Sequence, residues 1–311
     1  MKKNFRLPSK DGKHQLHVVM WIPKEPVRAV VQISHGMVEY IERYEEFAEY
    51  ANAHGILVVG NDHLGHGHTA ENEQELGYFC KRHMSKTVVA DLHRVTKATK
   101  KQYPDVPYFL LGHSMGSFLA RRYLMTYGKE LSGAILCGTG RQLPPVLTIG
   151  RMVENVMERV KGEDYRSKVF DRMVFGTYNR KVEHPVGEND WICSVPEVVE
   201  KKNGEIHGSF IFTLNGFRTL FDTIAYIQQP AHINRIPKKL PLFFIAGSED
   251  PVGDYGRGVQ EVYECYRKAG IKNLAIKLYE GDRHEIFNEE DRQEVFEDVM
   301  DWLQRQMERL S

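Results

Sequence analysis

Short apolar runs alternate along the chain with longer amphipathic segments, and this alternation predicts strands separated by helices. The runs predicted to be strands are 17–22, 29–33, 56–59, 108–111, 133–137, 242–246 and 274–279. The segments predicted to be helices are 44–54, 85–103, 117–124 and 291–309, with Ser85 as an N-cap. Because strands that are apolar almost throughout are buried on both faces, the pattern indicates an α/β fold, with a mostly parallel sheet covered by helices on both faces.

The alternation breaks between residues 139 and 236. No strong strand signal occurs there, and the spacing of apolar residues in 152–160 is helical. The stretch is far longer than a connection between a strand and a helix requires. We therefore expect 1–138 and 237–311 to form the α/β core and 139–236 to form a helical cap, or lid, that excludes water and shapes a pocket. An alternative is a structural appendage such as an oligomer interface.

The motif Gly112-His113-Ser114-Met115-Gly116 provides a candidate nucleophile. It directly follows an apolar run and directly precedes a helical pattern. A strand, a tight turn and a helix are the context of a nucleophile elbow, in which the serine hydroxyl is exposed. The flanking glycines allow the strand and the helix to approach closely. The pattern predicts Ser114 as a nucleophile, the alternative being a glycine-rich turn with an unreactive serine.

A nucleophilic serine needs a base, and the base needs an orienting acid. Glu249, Asp250 and Asp254 follow one predicted strand, and His284 follows the last one. The carboxyl ends of strands are where open α/β sheets build their sites. Among the three carboxylates Asp250 is favoured, because the proline after it favours an extended backbone. The predicted catalytic residues are therefore Ser114, Asp250 and His284.

Catalysis by such a triad also needs donors for the developing negative oxygen. One is the backbone N–H of Met115, directly after the nucleophile, and the other comes from the loop after an earlier strand. That loop contains His35, Gly36 and Met37, so Met37 is the predicted second donor of the oxyanion hole. An ordinary turn at this place is the alternative.

Other polar residues are assigned less reactive roles. Asp282 and Glu285 follow no strand of their own, and we expect them to be solvated. Three histidines fall within six residues: His63, His66 and His68. They lack the helical His-Glu-x-x-His spacing of a zinc site, and the Gly-Thr-Gly at 138–140 is not a dinucleotide fingerprint. We therefore expect no metal and no cofactor.

Composition narrows the cellular context. The 311 residues include 42 Lys+Arg and 42 Asp+Glu, a balance that argues against nucleic-acid binding and against an electrostatic membrane anchor. The N-terminus lacks the apolar core of a signal peptide, and no apolar run approaches the length of a spanning helix. The four cysteines have no short spacing, which indicates reduced thiols. The expected location is cytoplasmic.

Five sequence blocks together carry a family resemblance. They are His35-Gly36-Met37-Val38-Glu39-Tyr40 with Arg43-Tyr44, Asp62-His63-Leu64-Gly65-His66-Gly67, Gly112-His113-Ser114-Met115-Gly116, Gly247-Ser248-Glu249-Asp250-Pro251-Val252, and Arg283-His284-Glu285 with Asn288-Glu289. The chain resembles the serine-hydrolase branch of the α/β-hydrolase fold that contains monoacylglycerol lipases and bacterial lysophospholipases. The resemblance covers almost the whole chain.

The resemblance implies Ser114 as nucleophile, Asp250 as acid and His284 as base, with Met37 and Met115 as oxyanion donors. It also implies cleavage of monoacylglycerols or lysophospholipids through an acyl-enzyme, with an apolar tunnel in the cap for the acyl chain. The polar segment 181–184 and a charged cluster in the cap, formed by Glu200, Lys201, Lys202 and Glu205, lead us to expect at most peripheral membrane contact. The oligomeric state stays open.

Three alternatives accompany this prediction. A proline-iminopeptidase-like peptidase shares fold and triad but needs a cap carboxylate for the substrate amine, for which Glu154, Glu158 and Glu183 are candidates. A carboxylesterase for small esters is the second. A ligand-binding relative without activity is the third, although such proteins often lack a triad member and none is missing here.

Overall fold

Eight strands form a single sheet in the computed structural model, which describes residues 1–82 and 84–310. The strands are β1 (Lys2–Pro8), β2 (Gln15–Trp21), β3 (Ala29–Ser34), β4 (Ile56–Asn61), β5 (Tyr108–His113), β6 (Gly133–Cys137), β7 (Leu242–Gly247) and β8 (Leu274–Tyr279). Their spatial order is β1-β2-β4-β3-β5-β6-β7-β8. The β1–β2 and β2–β4 pairs are antiparallel, and the pairs from β4 through β8 are parallel.

Helices cover both faces of this sheet. They are α1 (Glu45–Ala53), α2 (Met84–Gln102), α3 (Met115–Tyr127), α4 (Pro144–Lys161), α5 (Lys168–Phe175), α6 (Pro196–Gly204), α7 (Leu214–Ile227), α8 (Pro230–Ile233), α9 (Arg257–Lys268) and α10 (Arg292–Glu308). Alternate residues of each central strand enter two separate apolar clusters, one containing residues of α2, α3 and α9 and the other residues of α1 and α10. This two-sided burial explains why the strands are apolar throughout, and it confirms the predicted α/β fold class.

The segment between β6 and β7, residues 138–241, contains the helices α4 to α8, and we call it the helical insertion. Its helix α7 packs on α2 and α3, and α4 packs on α7. The insertion leaves the sheet at the carboxyl end of β6. It therefore lies on the same side as the loops that follow β3, β5, β7 and β8.

Two local features differ from the sequence prediction. The sequence pattern does not predict strand β1. This edge strand pairs only with β2, most of its residues are exposed, and polar residues such as Lys2 and Arg6 interrupt any apolar run. The predicted N-cap role of Ser85 is wrong. Helix α2 begins at Met84, and Ser85 Oγ instead accepts a hydrogen bond of 2.8 Å from Nη1 of Arg122 on α3.

Candidate active site

Ser114 lies in the sharp turn between β5 and α3, with φ at 54°. A positive φ is strained for any residue other than glycine. Two glycines provide the space for this turn. A Cβ at Gly116 would lie 1.9 Å from the carbonyl oxygen of Ser34, and a Cβ at Gly112 would lie 2.4 Å from the carbonyl oxygen of Gly116. The serine is thus held in a strained turn at the carboxyl edge of the sheet.

Asp250 and His284 follow β7 and β8 and meet beside this turn. Nδ1 of His284 lies 2.9 Å from Oδ1 of Asp250, and both residues are buried. Oδ1 of Asp250 also accepts a hydrogen bond of 2.8 Å from the backbone N–H of Val252. The other two candidate carboxylates do not take part, because Glu249 is exposed and Asp254 pairs with Arg257.

Gly138, at the end of β6, makes room for the imidazole of His284. Its φ is +57°, and a Cβ there would lie 3.0 Å from Cε1 of His284 and 3.5 Å from Oδ2 of Asp250. From the insertion, the Trp191 ring packs over the same imidazole with 5.2 Å between ring centroids. The imidazole is therefore enclosed by Gly138 on one side and by Trp191 on the other.

The loop after β3 runs directly against the serine turn. A Cβ at Gly36 would lie 3.0 Å from Cβ of Ser114. Met37 and Met115 both line the cavity that also contacts Ser114 and His284. Within the described part of the chain, the backbone N–H groups of Met37 and Met115 donate no hydrogen bond. The predicted oxyanion donors therefore share one cavity with Ser114 and His284, while Asp250 is fully buried beside His284.

A buried network of charges lies beneath the site. Nδ1 of His113 donates to Oε1 of Glu39 (3.0 Å), and Nε2 donates to the carbonyl oxygen of His284 (3.2 Å). Because both partners are acceptors, both ring nitrogens carry protons. Burial acts to lower the pKa of His113, but Glu39, together with Glu285 and the carbonyl oxygen of His284, raises it overall. Burial likewise acts to raise the pKa of Glu39, and the charges of His113 and Arg43 hold it well below its usual value.

Arg43 joins Glu39 to a second carboxylate. Its Nη1 and Nη2 each donate to one oxygen of Glu285 at 2.7 Å, and Nη1 also contacts Oε2 of Glu39 at 3.2 Å. Burial acts to raise the pKa of Glu285, but Arg43 lowers it. The expectation that Glu285 and Asp282 are solvated is wrong, because both are at most 5% exposed. They lie in the loop after β8, where the Glu285 N–H donates a hydrogen bond of 2.7 Å to the carbonyl oxygen of Ile192 in the insertion.

The cavity at this edge has a volume of about 1070 Å³, the upper end of what ligand pockets reach. Its floor is the core, and most of its wall comes from the insertion. The apolar lining includes Phe118, Leu147, Phe175, Phe210, Leu220, Phe221 and Ile224. Charged side chains of the insertion, including Asp171, Arg172 and Glu188, also line the cavity.

The histidine-rich segment after β4 has a structural role. His66 of this segment and His35 of the loop after β3, which packs beside it with 5.3 Å between ring centroids, are fully buried. Burial lowers their pKa values to about 3 and about 4, so both are neutral. The carboxylate of Asp62 accepts hydrogen bonds from the backbone N–H groups of Ile41 (2.8 Å) and His68 (2.7 Å). In residues 1–82 and 84–310, no group of three or more His, Cys, Asp or Glu side chains is arranged to hold a metal ion.

Sequence reasoning missed four residues that shape the site. Glu39 and Arg43 fall inside a resemblance block, but nothing local indicated that they form an ion network. Gly138 could have been noticed as a glycine directly after an apolar strand. Lys202 belongs to the charged cluster predicted in the cap, yet it is 5% exposed and lines the cavity.

A family model described as serine aminopeptidase, S33 (Hydrolase_4) matches residues 25–291. The chain belongs to this family. It is 27% identical over 290 residues to the monoacylglycerol lipase of Mycolicibacterium smegmatis, covering 91% of each chain. It is also 26% identical over 277 residues to phospholipase YtpA of Bacillus subtilis, covering 89% of this chain and 95% of that protein.

A solved structure extends the similarity to the fold of the whole chain. The thermostable carboxyl esterase from Bacillus coagulans in complex with glycerol superposes with a TM-score of 0.91 at 31% identity, covering 98% of this chain and 99% of that one. The family, these relatives and this structure confirm the predicted class, a carboxylic-ester hydrolase with the α/β-hydrolase fold. In the described part of the chain, no helix combines the length and the hydropathy that a bilayer crossing requires.

Proposed function

We propose that this enzyme hydrolyses single-chain lipid esters, monoacylglycerols or lysophospholipids, with Ser114, His284 and Asp250 as its catalytic triad. The observation that carries the proposal is one cavity of about 1070 Å³ that contacts both the strained Ser114 and the His284 imidazole, which lies 2.9 Å from Asp250. The relatives named monoacylglycerol lipase and phospholipase support this substrate class.

In this proposal Oγ of Ser114 attacks the acyl carbonyl while Nε2 of His284 accepts its proton. Asp250 holds the imidazole and stabilises the imidazolium that forms. The backbone N–H groups of Met37 and Met115 donate to the oxyanion. The alcohol leaves with the proton from His284, and a water activated by His284 then releases the fatty acid from the acyl-enzyme.

A fluorophosphonate probe and a substrate series test these roles. The probe should label the wild-type enzyme at Ser114, and Ser114→Ala should lower kcat by about 10⁴-fold while remaining folded. The kcat/KM for p-nitrophenyl esters should rise from acetyl to long acyl chains, whereas a carboxylesterase for small esters would show the opposite trend. Absence of labelling would support the inactive ligand-binding alternative.

The family description names an aminopeptidase. Such a peptidase needs a carboxylate in the cap to hold the amine of its substrate. The carboxylates that could hold a substrate amine were Glu154, Glu158 and Glu183, and none of them lines the cavity. Glu154 and Glu158 both contact Arg218, and Glu183 is exposed.

Two other carboxylates of the insertion, Asp171 and Glu188, do line the cavity, and Glu188 pairs with Arg172. Because the relatives named lipase and phospholipase act on esters, we expect prolyl amides to be hydrolysed more slowly than acyl esters. The reverse order would favour the peptidase.

We further propose that residues 139–236 are a cap over a hydrolase core formed by 1–138 and 237–311, and that this cap makes peripheral contact with lipid. The support is a line of apolar side chains along α4, spaced three or four residues apart and each more than half exposed: Val146, Ile149, Met152, Val156 and Val160. Val146 and Ile149 also line the cavity. A lipid substrate could thus leave a membrane surface at the place where the cavity is reached.

The cytoplasmic location stays a proposal. All four cysteines are free thiols in the structure: Cys80, Cys137, Cys193 and Cys265. Free thiols are usual in a reducing compartment. Localisation of the tagged full-length protein by cell fractionation tests this proposal directly.

A further inference from the structure

Lys202 is buried in the cavity wall, although its neighbours Glu200 and Lys201 on helix α6 are exposed. Its Nζ donates to the carbonyl oxygen of Val38 (2.9 Å) and to the carbonyl oxygen of Gly208 (2.8 Å). Burial of an ammonium group is costly unless hydrogen bonds compensate for the lost water. The bond to Val38 is therefore a strong constraint on the loop that contains it.

The loop that Lys202 holds is strained at Val38, directly after Met37. Val38 has a φ of 53°, a conformation that β-branched residues rarely adopt and that persists only when the surroundings enforce it. Its neighbour in the chain is Met37. The Met37 N–H belongs to the Gly36–Met37 peptide, which is joined to the peptide before Val38 through the Met37 Cα. A change of conformation at Val38 would therefore move Met37 and alter the direction of its N–H.

A second hydrogen bond joins the same two segments. The hydroxyl of Tyr40 donates to Oε2 of Glu205 at 2.7 Å. Residues 36–40 of the core are thus attached at two points to residues 202–208 of the insertion. The core supplies its own support from Glu39, whose carboxylate accepts a hydrogen bond from the Gly36 N–H.

We propose that Lys202 is a positioning residue that holds the backbone N–H of Met37 in place as an oxyanion donor, so that the oxyanion site is complete only while the insertion is seated on the core. The inference rests on the proposed function, in which Met37 is that donor. Binding of a substrate head group is a weaker explanation for Lys202, because two of its three N–H groups are already taken by backbone carbonyls.

The test compares Lys202→Met with Lys202→Arg and with the matched control Lys201→Met, which alters an exposed lysine of the same helix. A short p-nitrophenyl ester, which does not depend on the acyl wall, should be hydrolysed by Lys202→Met with kcat reduced about 10- to 100-fold. Loss of one oxyanion donor costs about 10²–10³-fold, and the donor is displaced here rather than removed. KM should change less than about threefold, since the Met37 N–H contacts the oxyanion only in the transition state. Lys202→Arg should recover most of the activity, and Lys201→Met should behave as wild type.

A second measurement separates positioning from general loss of structure. A trifluoromethyl ketone adds to Ser114 as a tetrahedral oxyanion, so its inhibition constant should weaken in Lys202→Met by the same factor as kcat/KM. If Lys202→Met fails to fold, Tyr40→Phe removes the other attachment and should lower kcat about two- to fivefold with unchanged KM.

The outcomes are distinct. A raised KM with unchanged kcat in Lys202→Met would identify a head-group contact and overturn the proposal. A lower melting temperature with wild-type kcat would show a structural role only, and it would overturn the proposal as well. Fluorophosphonate labelling of wild-type Ser114 reports on the proposed function separately, so failure of one does not imply failure of the other.

Discussion

Replacement of Arg43 by methionine should strongly destabilise the fold, because Arg43 is the cation shared by two buried carboxylates. The side chains of Arg43, Glu285 and Glu39 are 11%, 5% and 3% exposed. Removing one partner of a buried ion pair leaves an unpaired charge out of water, which costs about 3–5 kcal/mol. In a protein of this size we expect the melting temperature to fall by about 5–10 °C.

The pH dependence of this effect has a definite sign. Arg43 lowers the folded-state pKa of Glu285 below its usual value of 4.5. The stability from the pair is therefore present above pH 4.5 and lost as the pH falls through the folded-state pKa. In Arg43→Met, by contrast, Glu285 is buried without its cation and is protonated more easily. The stability difference between the two proteins should thus be largest near pH 7 and clearly smaller near pH 4.

Urea unfolding at both pH values measures the difference, and a double-mutant cycle identifies its origin. Arg43→Met combined with Glu285→Met should cost less than the sum of the single changes, with a coupling of about 1–3 kcal/mol. The matched control is Arg267→Met, because Arg267 pairs with Glu264 at 2.7 Å on the exposed surface and such pairs contribute little. A cost below about 1 kcal/mol for Arg43→Met, or strict additivity in the cycle, would refute the reasoning.

Three further changes test other parts of the structure. Gly138→Ala introduces a Cβ 3.0 Å from Cε1 of His284 at a positive φ, so kcat should fall at least tenfold in ester assays, and an unchanged kcat would show that the imidazole can shift freely. Asp282→Asn should stabilise the protein by about 1–2 kcal/mol at pH 7 and much less at pH 4. Burial and the nearby Asp291 raise the pKa of Asp282 to about 8, so the cost of keeping this group buried in the wild type grows as the pH rises above 3.8. Equal melting-temperature shifts at both pH values would contradict this. Met152→Asn with Val156→Asn should weaken vesicle binding about tenfold and leave hydrolysis of a soluble ester unchanged, whereas unchanged vesicle binding would remove α4 as the lipid contact.

The sequence predicts the sheet well because burial on both faces leaves an unambiguous trace. Strands β5 to β7 are buried between two layers of helices, and their apolar runs can be read almost to the residue. The edge strand β1 left no such trace because most of it faces water. Helix α4 was recognised from its spacing, but spacing alone does not tell which face is turned outward. Helix α7 packs against the opposite side of α4, and this packing, which the spacing does not reveal, leaves the apolar side of α4 exposed.

Charged residues show where local pattern fails and why. Ser114, Asp250 and His284 could be proposed from sequence because each directly follows a strand whose end lies at the same sheet edge. Glu285 and Lys202 follow no such rule, and a charged residue is usually exposed. Their burial is decided by partners 242 and 164 positions away in the chain, Arg43 and the carbonyl group of Val38. Since both partners lie in the segment after β3, the buried charges of the site converge on the loop that contains Met37, the proposed oxyanion donor. We therefore expect substitutions remote from the proposed triad to act through this loop.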